Sequence, residues 1–123
     1  MASADDIRAI VSKYLDAVAG GTSADVAALY AEDATLEDPV GTEPKVGREA
    51  IQAFYAALDA VDNTTELITV RVSGNTAAFH FRVVTVAGDK TITIEPIDVM
   101  TFDDQARITS MRAIWSTDDM TVA

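Results

Sequence analysis

The 123-residue chain has no cysteine and a single histidine, His80. Disulfides and thiolate metal ligands are therefore excluded, and one imidazole cannot build a metal site alone. Only a hard cation held by carboxylates remains conceivable; no metal is expected. Basic residues are also scarce. Nine Lys and Arg against twenty Asp and Glu give a formal charge of −11, which repels phosphate backbones and anionic lipid. Nucleic acid and anionic substrates are poor partners for such a surface, whereas a neutral apolar ligand is unaffected by it. No apolar run approaches the roughly 18 residues of a membrane span. The start, MASADDIRAI, has no basic segment ahead of an apolar one. The expectation is a cytoplasmic protein without membrane insertion.

The length fits one domain, residues 1–123, around one core. Ile7, Ile10, Val11, Tyr14, Leu15 and Val18 recur every three or four residues, which predicts a helix with one buried stripe. Ser3 with Asp6 resembles a capping pair, and Gly20-Gly21 supplies a stop. A short second helix, capped by Ser23, is predicted through Val26, Leu29 and Tyr30. A third starts near Arg48, carries Ile51, Phe54, Tyr55 and Leu58, and ends at Asp62-Asn63. Between them Ala34–Asp38 reads as a strand ended by Pro39, followed by a connecting loop from Val40 to Gly47.

Beyond Asn63 the period changes to two. Strands are predicted at Thr65–Ser73, Thr76–Val86, Lys90–Phe102 and Arg107–Ser116, joined by hairpin-length turns, with a bulge or bend at Pro96 and a fraying tail from Asp118. The expected fold is α+β: a cone-shaped, curved, mostly antiparallel sheet with three N-terminal helices on its concave face.

Chemistry enters through two acids on apolar faces. In Thr91–Phe102, TITIEPIDVMTF, alternation places Asp98 on the side of Met100 and Phe102, with no cation nearby in sequence. A dry carboxyl there stays protonated and donates a hydrogen bond; a strand-edge carboxyl in water stays ionised. Both readings fit the segment. Asp38 shares a face with Ala34 and Leu36, while Glu37 takes the polar side. It suits a general base and equally an acid capping the turn before Pro39. Tyr14, Tyr30 and Tyr55, one on each predicted helix, point inward as pocket donors or as core residues with partnered hydroxyls. Met100, Met111, Ala113 and Trp115 share the inward side of the last strands. A base beside a neutral donor is what proton abstraction next to a carbonyl requires.

Five segments carry a resemblance over nearly the whole chain: KYLDAV around Tyr14, ALYAEDATLEDPVG around Asp38, GREAIQAFY around Tyr55, PIDVMTFD around Asp98 and SMRAIWS around Trp115. In order and spacing they resemble the ketosteroid isomerases (steroid delta-isomerases) of the nuclear-transport-factor-two-like fold. That family is itself the standard example of a carboxylic acid kept neutral in an apolar site. The resemblance implies Asp38 as general base, Tyr14 and protonated Asp98 as oxyanion hole, and Tyr30 and Tyr55 as their supporting network. It further implies Phe54, Phe81, Met100, Met111 and Trp115 around a small apolar steroid substrate, no cofactor, and a homodimer through the outer sheet face near Val70, Val72 and Val84. The short segment Ala56–Asn63 departs from the family and bears on the pocket mouth. Two rivals share these features: a polyketide-cyclase-like or epoxide-hydrolase-like enzyme of the same fold, and a non-catalytic carrier or sensor of an apolar ligand.

Overall fold

The computed structural model describes residues 1–123. Helix α1 spans Ala4–Gly20, α2 Ser23–Ala27 and α3 Arg48–Tyr55. The strands are β1 Tyr30–Glu37, β2 Lys45–Val46, β3 Asp62–Ser73, β4 Thr76–Ala87, β5 Lys90–Ile94, β6 Ile97–Phe102, β7 Ile108–Ile114 and β8 Met120–Val122. Ser3 closes a reciprocal capping box with Asp6 at the start of α1, satisfying donors that the helix leaves unpaired. At α2 the cap is Thr22, boxed with Asp25, rather than Ser23. Ser23 instead donates its amide and hydroxyl to Asp59, at 2.8 and 2.7 Å.

The strands form one curved, mixed sheet in the order β2-β1-β7-β6-β4-β5-β8, with β3 along the other side of β4. Every pairing is antiparallel except that of β1 with β7. The long strand β4 changes partner midway. Its first half, Thr76–His80, pairs with β6, and its second, Val83–Ala87, pairs with β5. The segment expected as one strand over Lys90–Phe102 is thus two. Pro96 cannot donate to a ladder, and the chain crosses between the two halves there, which curls the sheet into a cone. Helix α1 packs across β3, and the Thr65 hydroxyl donates to the Leu15 carbonyl at 3.0 Å.

Three further expectations are corrected. Tyr30 is not helical: α2 stops at Ala27, and Tyr30 opens β1 opposite Ile108 of β7. The spacing of Val26, Leu29 and Tyr30 serves a single turn followed by a strand as well as a longer helix, and sheet pairing decides between them. The tail does not fray. Ser116 caps a 3₁₀ turn at Thr117–Asp119, and β8 then pairs with β5. Val70 and Val72 are not on the outer face. They pack against the core, Val70 in register with the buried Phe79. Exposed apolar side chains on the outer face include Ile97 and Ile114, cross-strand partners 45% and 52% exposed, whose neighbours Asp98 and Ala113 point inward.

Candidate active site

An apolar cavity of about 360 Å³ opens between the helices and the concave side of the sheet. Tyr14 enters from α1, Phe54 and Tyr55 from α3, Phe81 from β4, Asp98 from β6, and Asp38 and Trp115 from the ends of β1 and β7. Strand alternation sets these positions. On β6, Asp98, Met100 and Phe102 are all buried while Ile97 is exposed; on β1, Ala34 and Leu36 are buried and Asp38 continues their face.

Met100 and Met111 do not line the cavity, contrary to expectation. They are cross-strand partners, fully buried in the core behind it. Parity fixed their side correctly, but depth along the cone separates them from the opening. Tyr30 also lies behind the wall, and its hydroxyl meets that of Tyr55 at 2.9 Å. Tyr55 in turn meets Tyr14 at 2.9 Å. The three hydroxyls form a chain with Tyr55 in the middle and Tyr14 at the cavity. Arg48 secures its base by donating Nε and Nη2 to the Tyr30 carbonyl, at 3.1 and 2.7 Å. Edge-on packing of Tyr14 against Phe79 and of Tyr55 against Phe54 fixes the rings.

The two acids differ in surroundings. Asp98 is 1% exposed, and its Oδ1 has no hydrogen-bond partner in the protein. Burial raises its pKa well above the usual carboxylate range, and the charge of Asp38 raises it further. Asp38 is half-buried. Burial raises its pKa too, opposed by a 2.8 Å hydrogen bond that Trp115 Nε1 donates to its Oδ1. The adjacent Glu37 goes the other way, lowered by the Gly41 amide and by Arg112. All three tyrosines are raised well above their usual value, chiefly by burial, and so remain protonated donors.

Sequence reasoning placed Trp115 only as lining; its bond to Asp38 was missed, although residue 115 follows Ala113 on the inward side of the β7 strand end. It also missed Val83 and Thr85, which share the parity of Phe81, and Val18, Leu58, Ile94 and Pro96. Ala57 and Leu58 come from a 3₁₀ turn, Ala56–Ala60, into which the short segment after Tyr55 folds.

A half-open cone of helices and curved sheet with inward acids defines a class. Residues 11–111 match the SnoaL-like domain. The Steroid Delta-isomerase of Nocardioides simplex is 57% identical over 117 residues, covering 95% of each chain. The chain belongs to the ketosteroid isomerase family within that class. Among solved structures, the epoxide hydrolase/cyclase-like enzyme SalBIII, with a role in pyran ring formation in the polyether salinomycin, aligns over 100% of both chains with a TM-score of 0.92 and 25% identity. RV0760c from Mycobacterium tuberculosis, at 21% identity and a TM-score of 0.89 over 100% of both chains, shares the fold.

Proposed function

We propose that the protein is a steroid delta-isomerase, moving the double bond of a 3-oxo-delta-5-steroid to delta-4 through a dienolate. One observation carries the reading: a buried carboxyl, Asp98, faces an apolar cavity with an oxygen that no protein group engages. Kept neutral by its surroundings, it is a donor waiting for an acceptor, and an enolate oxygen is the acceptor that gains most from it. Asp38, ionised, removes a proton from carbon 4. Negative charge moves to the 3-oxygen, where the Tyr14 and Asp98 hydroxyls donate. The carboxyl of Asp38 then returns the same proton at carbon 6, so atoms balance without a cofactor. Tyr14 keeps its proton for the cavity when it accepts from Tyr55 and Tyr55 accepts from Tyr30, a direction open to both hydroxyl pairs. The 57% identity to a steroid isomerase favours this reading over cyclase or epoxide chemistry. A carrier gains nothing from a desolvated base beside two donors.

Ultraviolet absorbance tests it. Purified protein mixed with a delta-5 3-oxosteroid should generate the conjugated-enone band, and steroid binding without that band points to a carrier.

Trp115 sets the working pH of the base. Its hydrogen bond favours the carboxylate form of Asp38, so in Trp115→Phe the pKa of Asp38 should rise. Activity needs the carboxylate and is lost as pH falls through that pKa. The acid limb of log kcat/KM should therefore move to higher pH in the variant; an unmoved limb rejects the role.

The protein is further read as cytoplasmic, in keeping with its lack of cysteine, and as a homodimer whose partner covers Ile97 and Ile114, adjacent exposed apolar residues on the outer sheet face. Sedimentation at micromolar concentration should give the dimer mass, and Ile97→Glu with Ile114→Glu should give the monomer. A wild-type monomer sinks this assembly.

A further inference from the structure

Asp38 sits one residue past the end of β1, and the side chain that fixes its backbone does not line the cavity at all. Glu37 ends the strand on its polar face, in register with Arg112 of β7. Its carboxylate is held at both oxygens: Oε1 accepts from Arg112 Nε at 3.0 Å, and Oε2 accepts from the Gly41 amide, also at 3.0 Å. The second bond joins residues 37 and 41, so it closes a loop of chain with Asp38 inside it. The end of β7 grips the same segment twice more, through the Val40 amide donating to the Ala113 carbonyl at 2.8 Å and through Trp115 donating to Asp38. Of these contacts, the first is backbone alone and the second acts on a carboxylate oxygen; Glu37 is the side chain that ties the loop.

A base that carries one proton from carbon 4 to carbon 6 has to swing, and its root has to stay still if both carbons are to remain within reach. A loose root lets the carboxyl turn out to water. Asp38 is only half-buried, so nothing but its anchoring keeps the carried proton from exchanging. The ion pair with Arg112, whose side chain is 59% exposed, adds little stability of its own. Its effect is to aim Glu37 at Gly41. The Gly41 amide and then Arg112 hold the Glu37 carboxyl below its ordinary pKa, whereas burial lifts that of Asp38. The tie is therefore complete wherever the base is ionised.

We infer that Glu37 is a positioning residue for the general base, holding the backbone of Asp38 through Gly41 without meeting the substrate. This rests on the isomerase reading with Asp38 as the base.

The test follows deuterium placed on the face of carbon 4 that Asp38 reaches, and measures the fraction recovered at carbon 6 of the product beside kcat and KM. Glu37→Ala removes both bonds. It should lower kcat by about ten- to hundredfold, the scale of a reacting group displaced by up to an ångström, with KM little changed. The fraction of deuterium transferred should fall with it, because a loosely rooted carboxyl exchanges its label with water. Glu37→Gln keeps one acceptor oxygen for two donors, so it should fall between, and it carries the comparison if the alanine variant does not fold. In the Asp38→Asn background Glu37→Ala should add little further loss, since the group it positions no longer moves the proton. Unchanged kcat, a lowered kcat with an unchanged transfer fraction, or an equal loss in both backgrounds overturns the assignment. Absence of turnover in the wild-type protein instead overturns the isomerase reading, and full turnover in Asp38→Asn overturns the base on which Glu37 acts.

Discussion

Asp38→Asn should lose turnover by roughly a hundredfold to ten-thousandfold, the range that general base catalysis contributes, while steroid binding survives. Asparagine preserves the volume of the side chain and an Oδ1 that still accepts from Trp115 Nε1, now 2.8 Å from the aspartate oxygen. What disappears is a group able to hold the proton between carbon 4 and carbon 6. The change also removes a negative charge that adds to the raised pKa of Asp98, but burial, the larger cause, remains and keeps that carboxyl a donor, so the donor end of the site is left intact. Enone formation measured alongside ligand dissociation separates the two effects. Retained turnover rejects Asp38 as the base; joint loss of turnover and binding shows that the substitution has damaged the pocket.

Much of this site was legible because strands encode direction so simply. A period of two is enough to send Asp98 inward with Met100 and Phe102, and to part Asp38 from Glu37, whose partners prove to be Gly41 and Arg112. Helical spacing likewise placed Tyr14 and Tyr55 on buried stripes. Depth was not legible. Met100 and Met111 have the same inward parity as Asp98 and Trp115, yet pack in the core because they sit further down the cone. Nor could local spacing show that Tyr30 belongs to a strand, since its parallel pairing with β7 joins residues nearly eighty positions apart. The Trp115–Asp38 bond spans 77 positions and depends on where β1 and β7 end side by side. Each of these omissions is a long-range pairing that no window of sequence contains.

Asp98→Leu should lower turnover by about 2–4 kcal/mol of transition-state stabilisation, the scale for one oxyanion donor, because leucine fills the site without a proton to donate. Alanine should cost less, since the smaller side chain leaves room for a water to take over part of the donation. Loss of rate does not by itself reveal the protonation state of Asp98, but a phenolic steroid analogue does. In the Asp38→Asn background the phenol oxygen stands where the dienolate oxygen develops, and two neutral donors in a dry site favour its anion. The bound phenol should then be partly ionised at a pH where it is neutral in water, with an absorbance spectrum shifted toward that of the phenolate. Adding Asp98→Leu removes one donor, so the ionised fraction should fall. An ionised Asp98 makes the opposite prediction, because a carboxylate beside the phenolate repels it and its removal relieves that repulsion. The structure favours the first outcome: Asp98 is 1% exposed and has no cationic partner, and its burial, the main cause of its raised pKa, is unchanged in the Asp38→Asn background. A rise in ionisation on removing Asp98 excludes it from the oxyanion hole and leaves Tyr14, supported by Tyr55 and Tyr30, to stabilise the charge alone.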